Sequence, residues 1–242
     1  MKKIAGATIL ILVATLAFFL VYFKFFKEKP REMETTQSVV TEEFKYVALG
    51  DSAAVGVGAS IPDKGYVGLI FEKLKEKYPK ASLNNLAVSG ATTTDLINAQ
   101  LNKAKTFKPD LVTISVGAND ITGQITDEIF SQNIEQALTT LDDENLKIVL
   151  TNIPDISLAA AVPVEIKSKV REKVKNFNKI IENSANKFEI PLVDLYSASL
   201  KEAQEAEKYL SSDLYHPNDS GYELWADEMW KVIDQFLSSE KN

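Results

Sequence analysis

The 242-residue chain has no cysteine and one histidine, His216. The first absence excludes a disulfide framework, a thiolate nucleophile, a lipid-modified N-terminal Cys and every Cys-bearing zinc site. The second excludes multi-His metal sites such as H-E-x-x-H, so any imidazole chemistry must pass through His216. An excess of positive charge is missing too: 27 Lys and Arg face 34 Asp and Glu, a formal net charge of −7. Surfaces for nucleic acid need clustered Lys and Arg, so this balance argues against such a partner. Nucleotide fingerprints are also lacking. Gly56-x-Gly58 has no third glycine for G-x-G-x-x-G, and G-x-x-x-x-G-K-[ST] does not occur. The expectation is a reaction without metal or cofactor.

What the N-terminus does have is Ile4 to Phe23, 20 residues without a charge. At about 1.5 Å per residue, such a helix matches the roughly 30 Å hydrocarbon core of a bilayer. Signal-peptide apolar cores run to about 7 to 15 residues and end at a small-x-small site. Here the one candidate, Thr15-Leu16-Ala17, lies inside the run, and Phe18 to Phe26 stays apolar and aromatic apart from Lys24. Residues 1–26 are therefore expected to form a single-pass transmembrane anchor, or failing that a signal segment whose cleavage would release the protein. Lysines flank both ends, but long domains translocate largely regardless of loop charge, so the domain is expected outside the cytoplasm. Residues 27–43 (KEKPREMETTQSVVTEE) are polar with no apolar periodicity and read as a stalk. Residues 44–242 then form one domain, which carries 21 basic and 29 acidic groups, a net −8.

From Phe44 onward, short β-type runs alternate with longer stretches of helical period, the pattern of a parallel sheet covered on both faces. Strands are expected at Lys45 to Leu49, Leu83 to Val88, Leu111 to Val116, Lys147 to Leu150 and Leu192 to Leu195. Amphipathic helices are expected at Tyr66 to Tyr78, Thr93 to Lys105, Asp127 to Leu141, Pro163 to Phe188 and Ser220 to Leu237. Trp225 and Trp230 fall on the last of these and read as packing residues. In open α/β sheets, ligands bind outside the carboxyl ends of the strands, where strand order reverses.

The residues at those ends are Gly50-Asp51-Ser52 after the first strand, Ser89-Gly90 after the second and Gly117-Ala118-Asn119-Asp120 after the third. Asp213-Leu214-Tyr215-His216 follows beyond the fifth. A serine hydroxyl needs an imidazole to take its proton and a carboxylate to orient that imidazole, and Ser52, His216 and Asp213 supply the set. A tetrahedral intermediate needs donors, which the Ser52 and Gly90 amides and the Asn119 side chain can offer. Singly, each has an ordinary explanation: a turn, a positive φ, a helix cap, a solvated histidine. The combination at successive strand ends points to acyl transfer.

In these blocks the chain resembles the SGNH (GDSL-type) hydrolases. They stand here as Ala48-Leu49-Gly50-Asp51-Ser52, Asn85 to Ala91, Gly117-Ala118-Asn119-Asp120 and Asp213 to Asn218. The resemblance covers the whole domain and departs at Ala53, where the family motif has leucine. It implies Ser52 as nucleophile, His216 as general base and then acid, Asp213 as its orienting carboxylate, and an oxyanion hole of Ser52, Gly90 and Asn119. It also implies a flavodoxin-like three-layer α/β/α sandwich with five parallel strands in the order 2-1-3-4-5, acting as an esterase. Family substrates range from lipids and thioesters to acetylated carbohydrates. The expected tether favours a lipid or lysophospholipid ester, with an acetyl ester of an envelope polysaccharide as second choice. Ile121 to Ile129 and Pro154 to Pro163 are the expected pocket walls. An α/β-hydrolase elbow would need G-x-S-x-G, which is absent, and a catalytically silent binding module would be expected to lack part of the set.

Overall fold

The computed structural model describes residues 43–239. The apolar run Ile4 to Phe23 and nearly all of the stalk lie outside them, and among the described residues no helix is long and apolar enough to cross a membrane. Five parallel strands form one sheet in the order β2-β1-β3-β4-β5: β1 Lys45–Gly50, β2 Ser82–Asn85, β3 Leu111–Ser115, β4 Lys147–Thr151 and β5 Leu192–Val193. The side-chain period of two divides the inner strands β1, β3 and β4 between two cores. Val47, Leu49, Val112, Ile114, Ile148 and Leu150 enter one, whereas Tyr46, Ala48, Leu111, Val149 and Val193 enter the other. Burial on both faces is why these runs are apolar throughout rather than alternating.

The first core is closed by α3 (93–106), α5 (Asp127–Leu141) and α6 (Lys167–Lys187). Phe130 of α5 and Phe177 of α6 stack at 3.8 Å between ring centroids. Full burial of a side chain of that size is worth roughly 1.5–3 kcal/mol, far more than any surface pair on these helices. The second core is closed by α2 (Tyr66–Lys77), α7 (Leu195–Gln204) and α9 (Asp219–Ser238). Short helices α1 (Ser52–Val55), α4 (Ala118–Thr122) and α8 (Ala206–Tyr209) occupy the connections.

Helix α5 has the bounds its periodicity gives. Helix α6 opens at Lys167, behind a 3-10 turn at Val164–Ile166, rather than at Pro163, and three further expectations change. β2 ends at Asn85 rather than Val88, although the Leu86 and Val88 amides still donate to the Ala48 and Gly50 carbonyls of β1. β5 stops at Val193, and Leu195 opens α7 behind an Asp194 cap that accepts from the Ser197 amide. α3 is not uniform: Leu96–Leu101 widens into a π turn between Thr93–Asp95 and Asn102–Thr106. That wider turn lets the buried Gln100 amide hold both backbone groups of Gly50, accepting from its N–H and donating to its carbonyl, each at 2.9 Å. The strands stay parallel, but the order in which they are added to the sheet reverses between β1 and β3, so the turns after them open the crevice at the carboxyl edge.

Candidate active site

Leaving β1, Asp51 turns sharply and caps α1 by accepting from the Ala53 amide at 3.0 Å. Ser52 is therefore the first residue of a helix, whose initial N–H groups have no partner within it. Asp51 itself is 5% exposed, and burial pushes its carboxyl up to about 6, against the Ala53 bond and the nearby His216.

His216 comes from the far end of the domain. Its loop is pinned by a bridge between Leu210 and Pro217, by Ser211 N donating to the His216 carbonyl at 2.8 Å, and by Asn218, which caps α9. The Asn218 side chain also donates to the Lys208 and Leu210 carbonyls. Within the loop, Asp213 Oδ1 accepts from the Tyr215 and His216 amides at 2.8 and 2.9 Å and from the Ser211 hydroxyl at 2.8 Å. Asp213 Oδ2 lies 2.7 Å from His216 Nδ1, and His216 Nε2 lies 2.8 Å from Ser52 Oγ. Burial works to raise the Asp213 carboxyl, but the His216 ring and amide, the Tyr215 amide and the Ser211 hydroxyl outweigh it and hold the group well below its usual range. An ionised carboxylate only accepts, so the Nδ1 proton faces Asp213 and the Nε2 lone pair faces the Ser52 hydroxyl.

On the opposite side, Asn119 lies in α4 and its Nδ2 donates to the Ala91 carbonyl at 3.0 Å. Next to it, the fully buried Asp120 accepts from the Thr93 amide at 3.1 and 2.9 Å and from the Thr93 hydroxyl. These bonds fix the loop after β2 against the turn after β3. Gly90 sits in that loop with φ +82° and is exposed.

Ser52, Asn119 and His216 line one cleft, together with Asp51 and Tyr215. Gly90 and Asp213 do not line it. Pro154 to Ala160 forms one wall, as expected of the segment after β4, but no residue of Ile121 to Ile129 does, because that stretch turns away into α4 and the start of α5. The remaining wall comes from residues that the sequence had not marked: Ser199, Glu202 and Ala203 of α7, Ala206 of α8, and Leu210. Their helical spacing was the available signal, obscured by two polar residues on the buried face. Trp225 is 4% exposed and packs in the second core, yet it also reaches the cleft. Among the described residues no group of acidic or imidazole side chains is arranged to hold a metal ion.

Known proteins resemble this chain in sequence and in fold. Residues 48–224 match the model of the GDSL-like lipase/acylhydrolase family. The spore germination lipase LipC of Bacillus licheniformis is 26% identical over 205 residues, covering 76% of this chain and 94% of LipC. Among solved structures, the esterase EstA from Pseudoalteromonas sp. has a TM-score of 0.65 at 21% identity, covering 80% of this chain and 98% of EstA. An acetyl xylan esterase from Geobacillus stearothermophilus has a TM-score of 0.64 at 19% identity, covering 78% and 94%. The two structures share the fold, and the family match spans most of the chain and all four blocks. The chain belongs to the GDSL-like lipase/acylhydrolase family and is an ester-hydrolysing enzyme.

Proposed function

We propose that the enzyme works through an acyl-Ser52 intermediate and that the acyl group occupies the cleft between Pro154 to Ala160 and α7. The supporting observation is the continuous Asp213, His216, Ser52 hydrogen-bond chain, 2.7 Å and 2.8 Å between successive partners. Ser52 Oγ attacks the ester carbonyl carbon while its proton passes to His216 Nε2, and Asp213 stabilises the imidazolium. The carbonyl oxygen becomes an oxyanion and accepts from the Ser52 and Gly90 amides and the second Nδ2 hydrogen of Asn119. Collapse breaks the bond to the alcohol oxygen, which takes the proton from Nε2 and leaves. Water then attacks the acyl-enzyme, His216 takes its proton and returns it to Ser52 Oγ, and the acid departs.

The test is a fluorophosphonate probe on the whole chain. Labelling at Ser52, abolished in Ser52→Ala along with ester hydrolysis, is the expected result, and an unlabelled protein at neutral pH would favour a silent binding module instead.

An acyl chain suits the apolar wall of Ile156, Leu158, Ala159, Ala160, Ala203 and Ala206 better than an acetyl group does. A lipid or lysophospholipid ester is therefore the substrate class proposed here. The matching location is the membrane surface, with Ile4 to Phe23 as the anchor and the catalytic domain outside the cytoplasm. Protease added to intact cells should then remove the domain, and a domain spared until the cells are lysed would reverse the orientation.

A further inference from the structure

The turn that presents Ser52 hinges on a residue without a side chain. Gly50 holds φ at +152°, and a Cβ there would lie 2.2 Å from the Ser115 carbonyl oxygen, so no other residue fits. Glycine is also the residue whose backbone rotates most freely, and the two torsions of Gly50 aim Asp51 and Ser52. The restraint on them comes from another element. Gln100 of α3, 1% exposed, accepts from the Gly50 N–H and donates to the Gly50 carbonyl, each at 2.9 Å. That N–H belongs to the peptide plane before the Gly50 Cα and that carbonyl to the plane after it. One carboxamide therefore bridges two consecutive planes, and turning either torsion of Gly50 pulls one of the two bonds out of line.

Satisfying buried polar groups does not account for the pair of bonds. The Gly50 carbonyl already accepts from the Val88 amide at 3.1 Å, so a single bond to the Gly50 N–H would have left neither group unpaired. The Val88 bond carries the same control further. Val88 lies two residues before Gly90, and its own carbonyl accepts from the Ala91 amide at 3.0 Å. The Ala91 carbonyl in turn accepts from Asn119 Nδ2 at 3.0 Å. Gln100 thus stands at one end of a chain of bonds that runs through Gly50 and Val88 to the proposed oxyanion donors. Its own position is fixed by the π turn Leu96–Leu101, whose two end residues pack in the first core. Such widened turns inside α-helices recur at functional sites.

We propose that Gln100 is a positioning residue for catalysis: by bridging the two peptide planes of Gly50 it sets the aim of Ser52 and holds the Gly90 loop in place relative to it. This rests on the acyl-Ser52 mechanism. Gln100 does not line the cleft, so its loss leaves the substrate contacts intact and acts on the alignment of nucleophile and oxyanion donors, where small displacements are costly in rate.

The test uses the whole chain, p-nitrophenyl butyrate and a fluorophosphonate probe, at temperatures well below the Tm of each variant. Gln100→Leu, close in size and without either bond, should lower kcat at least tenfold, keep KM within about threefold of wild type and slow labelling of Ser52 by a similar factor to kcat. Gln100→Glu, assayed at pH 6 beside wild type, should recover most of the lost kcat. A buried carboxyl holds its proton there and then offers the donor and the acceptor of the amide. A lower Tm in Gln100→Leu with kcat and labelling within a few fold of wild type would mean that Gln100 only holds the fold, and would overturn the proposal. So would a Gln100→Glu enzyme no faster at pH 6 than Gln100→Leu. If Gln100→Leu does not fold, Gln100→Asn, one methylene too short to reach both Gly50 groups, takes its place with the same expectation. Ester hydrolysis surviving in Ser52→Ala would count against the acyl-Ser52 mechanism, whereas an inert Ser52→Ala beside an unimpaired Gln100→Leu would overturn the role of Gln100 alone.

Discussion

Asn119 has two amide hydrogens and, in the proposed mechanism, two tasks. One hydrogen is committed to the Ala91 carbonyl at 3.0 Å, which fixes the plane of the amide and aims the other. Truncating the side chain therefore removes a donor from the developing oxyanion and a tie between two loops, and these effects differ in size. The lost tie is one hydrogen bond between half-buried groups, about 1 kcal/mol of stability. Loss of an oxyanion donor costs about 3–4 kcal/mol in the transition state. Asn119→Ala should lower kcat by roughly a hundredfold or more with a far smaller change in KM. Turnover within a few fold of wild type in steady-state assays would remove Asn119 from that role. His216 differs in depending on a strained neighbour. Leu214, between Asp213 and His216, holds φ at +56°, and this tight turn lets the Asp213 carboxylate reach the ring and both following amides.

At the scale of elements, the proposed catalytic groups sit on helix starts and loops pressed against one another, and two glycines show how the same substitution separates contact from backbone preference. A Cβ on Gly58, at φ +95°, would lie 2.4 Å from the Pro217 carbonyl oxygen and 2.9 Å from His216 Cβ. On Gly90, at φ +82°, it would meet nothing within 4 Å. Gly90→Ala faces only the left-handed backbone cost of about 1–2 kcal/mol, and its amide stays in position. Gly58→Ala must also move the loop that carries His216. We expect it to slow fluorophosphonate labelling of Ser52 at least tenfold, with Gly90→Ala within a few fold of wild type, and equal labelling rates would show that the two loops are not in register-dependent contact. Such contacts are not legible in a linear sequence. Ser52, Asn119 and His216 could be read because each residue type has a chemical job and each follows a recognisable element. The α7 wall could not: Leu195, Ala198, Ser199 and Glu202 share its buried face, and the polar pair broke the apolar stripe that revealed α5 and α9. The π turn in α3 leaves no mark either, because Gln100 looks like a surface residue until Gly50 supplies both of its partners.

For the whole molecule, three acids, Asp213 in its exposed loop and the buried Asp51 and Glu202, tie stability to pH in opposite directions. Asp213 is held below its ordinary value, so its contribution is present above about pH 4 and is lost as pH falls through its folded value. Glu202 and Asp51 are raised by burial, to about 8 and about 6 from 4.5 and 3.8. The folded state keeps their protons after the unfolded chain has released them, so their contribution is full below the unfolded values and is lost as pH rises through the folded ones. Asp51 has completed its change near pH 6, which leaves Glu202 to govern the range from 6 to 8 among these three. Its share across that range is on the order of 2 kcal/mol, enough to move the midpoint of a domain this size by several degrees. The wild-type Tm should therefore fall between pH 6 and pH 8, and Glu202→Gln, which cannot ionise, should flatten most of that fall in thermal melts. Parallel wild-type and variant curves would mean that Glu202 is ionised in the folded protein at neutral pH, with its carboxylate solvated through the cleft instead of holding a proton beside Trp225.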